Sequence, residues 1–277
     1  MEIIKASGEQ ELFKEAKLFR SLQRAGADSA LARKISQNTV KEIYPRISSS
    51  QILNKVTRSL KRENPILASR YNLKRAIWEM GPTGFPFEKY VAGILKEYGY
   101  SVQVGKIVQG HCVSHEIDVI AQKGNKHFMI ECKYHNSGGI KSDVKAALYT
   151  FARFLDIQKA WSEDPRHKNV FHQAWLVTNT KCTSQAIRYA DCAGLKIISW
   201  HHPKGESLER LIEQKNLYPI TILSLPRFLR ERIAQKNIIF VKDLLKYPSY
   251  RLSHILGVKE NFIRKLQREV ETLCPPT

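Results

Sequence analysis

Asp118, Glu131 and Lys133 are the residues of this 277-residue chain whose types and spacing can do chemistry together. They lie within residues 115–135, which read H-E-I-D-V-I-A-Q-K-G-N-K-H-F-M-I-E-C-K-Y-H. Two apolar runs of strand length flank Gly124-Asn125, a two-residue hairpin signal. Pairing symmetric about that turn sets Asp118 directly opposite Glu131, on one face with Cβ atoms about 4.5–5.5 Å apart. Strand alternation adds Lys133 to that face and turns Ile117, Val119, Phe128, Ile130 and Cys132 into a core. Two facing carboxylates repel, and burying them unpaired is costly, so something cationic must sit between them. Lys133 supplies one positive charge, and a divalent metal with oxygen ligands, most naturally Mg²⁺ with Mn²⁺ as substitute, supplies the rest. Such a site can generate a hydroxide and stabilise a transferring phosphoryl group, which is metal-assisted phosphodiester hydrolysis. The alternative is an Asp and a Glu at a solvated sheet end, with Lys133 as a surface ion-pair partner.

Elements that must position these residues are legible on both sides. Residues 85–100 carry a helical stripe of Phe87, Val91, Ile94, Leu95 and Tyr98 with Glu88 beside it. After the hairpin a glycine-containing loop leads into a helix over residues 142–161, on which Lys145 and Arg153, with Lys141 just before it, are placed either to touch a phosphate backbone or to form the helix's solvated face. The run A-W-L-V-T-N from residue 174 is apolar almost throughout, as in a strand buried on both faces, and Thr178 and Asn179 at its end either line the site or cap a turn. Strand, helix and strand over residues 174–200 form a crossover unit, implying a mixed sheet flanked by helices.

This region resembles the core of the PD-(D/E)xK nuclease superfamily, and the surrounding chain is similar to its Mrr-like restriction endonuclease branch. The resemblance implies that Asp118 and Glu131 are metal ligands, that Lys133 positions or activates water, and that Glu88, matching the acidic residue of the first helix, assists. Ile117-Asp118 stands where the family has Pro-Asp, and Cys132 replaces the commoner apolar residue between Glu and Lys.

Residues 1–80 read as a strand over 3–13 punctuated by Gly8, then helices over 14–25, 30–44, 49–60 and 67–78. Their order resembles the ATP-cone, a regulatory nucleotide-binding domain, on Ile4-Lys5, Gly8, Phe13, Lys17-Leu18, Ala25-Gly26, residues 47–52, Ala68, Tyr71 and Arg75. The resemblance implies that Lys5 and Lys17 face nucleotide phosphates, Glu11 the polar groups of the nucleotide, and Ser49 a hydroxyl contact, with ATP or dATP as effector. Ala6 departs from the second basic residue that many cones carry there.

Gly and Pro density over residues 81–86, and again around 201–207, marks boundaries, giving expected domains 1–80, 81–204 and 205–277. The last is Arg/Lys-rich and helical over 223–245 and 252–266, and resembles tandem helix-hairpin-helix units such as the C-terminal domain of the RNA polymerase α subunit. Gly257 allows the tight turn between its helices, and the rival reading is a docking or dimerising module. The expected fold class is therefore multi-domain α/β, with a small mostly helical N-terminal domain, a central restriction-endonuclease-like mixed sheet and an all-α C-terminal domain.

A formal net charge of +19 suits a polyanion partner, because phosphate-bound Lys and Arg release counterions. No apolar run reaches membrane-spanning length and no charged-then-apolar leader opens the sequence, so no membrane partner and a cytoplasmic location are expected. Cys112, Cys132, Cys182, Cys192 and Cys274 form no C-x-x-C pair, which argues against a disulfide framework or structural zinc; a zinc site from His111, His115, His201 and His202 is the remaining metal alternative. Cys182 and Cys192 are expected to pack around a helix. The expected activity is that of a Mg²⁺-dependent DNA endonuclease regulated by ATP or dATP. A homodimer or nucleotide-dependent homo-oligomer is expected, since cutting two strands takes two sites. The alternatives are a nucleotide-responsive DNA-binding regulator with a vestigial nuclease core and a cone-containing assembly subunit without DNA affinity.

Overall fold

Gly124 adopts φ +57°, a region glycine enters without steric cost, and its turn with Asn125 pairs Lys123 with Lys126. The computed structural model describes residues 1–163 and 171–275. These fall into two units, one of Met1–Ile77, Ser137–Gly139 and Ile220–Thr277, the other of Trp78–Asn136 and Ile140–Pro219.

In the first unit β1 (Glu2–Ile4) and β2 (Gln10–Leu12) pair antiparallel. The single strand expected here is two, because Gly8, at φ +84°, folds the run back on itself. Helices α1 (Glu15–Arg24), α2 (Ser29–Glu42) and α3 (Ser49–Glu63) follow. Ser48 caps α3: its Oγ accepts the Gln51 N–H at 3.1 Å while Gln51 Oε1 accepts the Ser48 N–H at 3.0 Å. The helix expected over residues 67–78 divides at Asn72 into α4 (Pro65–Tyr71) and α5 (Leu73–Trp78), and Asn64 caps the first of these. Leu22, Ile35, Ile47, Val56, Leu60 and Ala68 form the core of these helices.

The second unit opens with α6 (Phe85–Glu97), buried along Phe87, Tyr90, Val91, Ile94 and Leu95. Then come β3 (Ser101–Gln109), β4 (Ser114–Lys123), β5 (Lys126–Lys133), β6 (Lys141–Ser142), α7 (Val144–Glu163), β7 (Phe171–Thr178), β8 (Lys181–Cys182), α8 (Ser184–Ala193), β9 (Lys196–Ile198) and α9 (Leu208–Gln214). The main sheet has the order β3-β4-β5-β7-β9, antiparallel through β5 and parallel from β5 onward, the mixed arrangement expected. Met129, Ala147, Phe154, Ile157, Leu176 and Ala186 pack between sheet and helices. Helix α9 belongs to this unit, where Tyr98 Oη donates to the Leu211 carbonyl at 3.0 Å. All five cysteines are free, Cys182 is half-buried, and Cys192 is exposed on α8 rather than packed.

The remaining helices return to the first unit: a 3-10 turn at Ile220–Ile222, α10 (Arg227–Gln235), a 3-10 segment at Val241–Lys246, α11 (Ser249–Leu256) and α12 (Glu260–Leu273). The helix expected over residues 223–245 breaks at Asn237, which takes φ +55°. Gly257, at φ +63°, makes the sharp turn between α11 and α12. Arg70 donates to the Leu273 carbonyl at 3.3 Å, joining this end of the chain to α4.

Thr178 and Asn179 are fully buried, so neither lines an open site. Asn179 clamps the loop after β5 by accepting the His135 N–H at 2.9 Å and donating to the His135 carbonyl at 2.7 Å. Replacing Asn179 with Ala leaves partly buried backbone groups of His135 unpaired and is expected to cost about 1–3 kcal/mol in urea unfolding, with faster amide exchange at His135.

Candidate active site

The β4–β5 ladder ends at the pair Val119↔Ile130, and the next residue on each strand is a carboxylate, Asp118 or Glu131. Beyond that point β4 stays paired with β3 as far as Ser114↔Gln109, while β5 stays with β7 as far as Lys133↔Thr178. The two strands therefore part at the acidic pair. The direct opposition expected of Asp118 and Glu131 gives way to a fork, because each strand follows its other neighbour. Gly105, at φ +61°, stands between the pairs Val104↔Val119 and Lys106↔Ile117, so β3 is also irregular across from Asp118.

Side chains bridge the fork where backbone pairing stops. Asp118 Oδ2 accepts the Cys132 N–H at 2.7 Å. Arg153, reaching from α7, donates Nη1 to Glu131 Oε2 and Nη2 to the Glu116 carbonyl. Arg153 is 9% exposed. It is thus tied inside the fork, which overturns the expectation that it touches a phosphate backbone.

Four acids act on one another here. Burial pushes the Glu88 carboxyl up to about 7, helped by the negative charges of Asp118, Glu116 and Glu131. Burial also raises Asp118, opposed by the Cys132 N–H, Arg153 and Lys133. Glu131 is raised by burial and by Asp118, and lowered by Arg153 and Lys133. Lys133 itself is exposed at the end of β5. Glu88, Asp118, Glu131 and Lys133 are therefore all brought to one region. Sequence reasoning missed Glu116, which the H-E-I-D spacing two residues before Asp118 signalled, and the true place of Arg153, for which a single charged residue on a helix carries no signal.

Among the described residues, no group of three or more His, Cys, Asp or Glu side chains stands ready to hold a metal ion. The donor chemistry still suits Mg²⁺, a hard cation that takes one or two carboxylates and fills its other positions with water and phosphate oxygens. Four acids face two cations, Arg153 and Lys133, and a divalent ion would neutralise the excess. His111 and His115 are instead paired with Glu163 at 3.0 Å and Asp156 at 2.7 Å, and His201 with Glu209 at 3.0 Å.

In the first unit Lys5 and Lys17 both bind Glu11, the former at 2.7 Å. The two lysines hold the Glu11 carboxyl down to about 2. Ser49 begins α3, one residue after Ser48, whose backbone bridges to Ile4 next to Lys5. The structure thus joins Lys5, Glu11 and Lys17 in one exposed cluster, with Ser49 near the same strand.

Comparison with known proteins matches residues 1–79 to the ATP cone domain, residues 80–204 to the restriction endonuclease catalytic family of Mrr type, and residues 218–274 to the AF1548-like C-terminal domain. An uncharacterized protein of Archaeoglobus fulgidus is 38% identical over 165 residues, spanning 60% of this chain and 89% of its own. The crystal structure of a protein of unknown function, AF1548, matches with a TM-score of 0.57 at 35% identity, over 69% of this chain and 98% of that one. No helix among the described residues is long and apolar enough to cross a membrane.

A carboxyl raised to about 7 holds its proton more tightly in the folded than in the unfolded chain, so the stability it contributes is lost as pH rises from its ordinary value through about 7. Glu88 therefore contributes fully below its ordinary value of 4.5, and the contribution disappears as pH rises through about 7. Without divalent ions, the urea midpoint is expected to fall between about pH 5 and pH 8. The Glu88→Gln variant is expected to show a shallower fall, with Asp118 and Glu131 supplying what remains.

Proposed function

Because the chain belongs to the AF1548-like family and carries an ATP cone ahead of a restriction-endonuclease domain, we propose that it is a divalent-metal-dependent DNA endonuclease answering to ATP or dATP. The observation that carries this reading is the fork: two strands part at Asp118 and Glu131, and Lys133 ends the second of them. A divalent cation held by Asp118 and Glu131 would supply charge for a transferring phosphoryl group and acidify a bound water. Asp118 is oriented by the Cys132 N–H, and Glu131 by Arg153. The Lys133 ammonium, at the exposed end of β5, draws a phosphate oxygen and orients the attacking water. Glu88 holds a proton near neutral pH, so it can pass one to or from that water. The net charge of +19 brings DNA to the protein with salt-sensitive affinity. Lys5 and Lys17 release Glu11 to take nucleotide phosphates, and Ser49 contributes a hydroxyl.

The test is nicking and linearisation of supercoiled plasmid in Mg²⁺, with and without ATP, for the wild type, Asp118→Ala and Lys133→Ala. Cleavage lost in both variants is expected, with at least about a hundredfold fall in rate. A wild type that never cuts, yet binds DNA with salt- and ATP-sensitive affinity, would make the protein a nucleotide-responsive regulator. Lys5→Ala and Lys17→Ala are each expected to weaken binding of a fluorescent ATP analogue; unchanged binding in both would place the nucleotide elsewhere.

A further inference from the structure

We infer that Arg153 is a positioning residue that clasps the two arms of the fork and presents Glu131 to a divalent ion, an inference that rests on the metal-dependent reading above. The β4–β5 ladder supplies no backbone pair beyond Val119↔Ile130, so the separation of Glu116–Asp118 from Glu131–Lys133 must be fixed by something else. Arg153 is anchored on both arms, at the Glu116 carbonyl on β4 and at Glu131 Oε2 on β5. Thr150 and Ile157, one turn before and after it on α7, are fully buried, and the guanidinium lies 5.2 Å from the centroid of the Tyr149 ring.

The chemistry requires a guanidinium in particular. Its planar fork donates to two acceptors at a fixed angle, whereas a lysine ammonium is a point charge that would satisfy one arm. By taking Oε2 alone, Arg153 leaves Glu131 Oε1 for the metal. Partners of this kind, one step removed from the ion, set ligand orientation and hence affinity. At 9% exposure, Arg153 is enclosed too far to serve as a surface phosphate contact.

Ca²⁺ titration calorimetry on the full chain without DNA tests this, comparing wild type with Arg153→Lys and Arg153→Met. Removing the clasp is expected to weaken Ca²⁺ binding on the order of 10- to 100-fold in Arg153→Met. Arg153→Lys keeps the charge and is expected to recover only part of the loss. The Mg²⁺ concentration for half-maximal nicking should rise in parallel. Exchange of the Cys132 amide should quicken in both variants. If Arg153→Lys matches wild type in affinity and in exchange, charge alone matters and the clasp is wrong. Equal or tighter Ca²⁺ binding in Arg153→Met would also overturn it, marking Arg153 as a competitor of the ion. Should the wild type bind no divalent ion, the metal-dependent reading fails, and with it the presentation of Glu131; amide exchange then still decides whether a clasp exists.

Discussion

Negative charge gathered where two strands part is the constraint on which the rest of this structure depends. Glu88, Glu116, Asp118 and Glu131 act on one another in a partly dehydrated region, where unpaired carboxylates are expensive. The relief comes from two elements, β5 and α7. The Cys132 amide comes from β5, Arg153 from α7 and Lys133 from the strand end. The packing of α7 on the sheet is therefore also the electrostatics of the site, since it carries the only one of these cations that is buried.

The fork follows from sheet order. β4 is committed to an antiparallel neighbour and β5 to a parallel one, and their own ladder holds only near the turn. A hairpin paired along its full length would place the carboxylates face to face with nothing between them. Parting the backbones while keeping the register provides room for water, a cation or a phosphate oxygen. The irregularity at Gly105 extends the same opening across β3.

How much of this was legible in the sequence depends on the range of the interaction. Gly124-Asn125 fixes the hairpin register locally, and with it the place of Asp118 and Glu131 just beyond the last pair, Val119↔Ile130, and of Lys133. Parting of the strands was not legible, because it depends on which partners β4 and β5 find elsewhere in the sheet. Arg153 read as a phosphate contact or a solvated helical charge for the same reason: nothing near it in sequence announces the Glu116 carbonyl or Glu131. The mixed sheet and its helices emerged from apolar runs. The helices over residues 67–78 and 223–245 were read as unbroken, because Asn72 and Asn237 interrupt them without a glycine or proline. Gly8, in contrast, was visible and under-read, since a positive φ there turns one strand into two.

The first unit is assembled from the beginning of the chain, three residues near its middle and the helices after Ile220, while the second is complete once Pro219 is made. Chains fold as they are synthesised, N-terminal portions first. On the ribosome the endonuclease-like unit thus has all its residues while α4 still waits for α12, which meets it through Arg70 and Leu273. Biosynthesis finishes the endonuclease-like scaffold before the cone receives its last supporting helix, so a nascent chain interrupted after Pro219 carries the whole fork and only part of the unit that holds the cone.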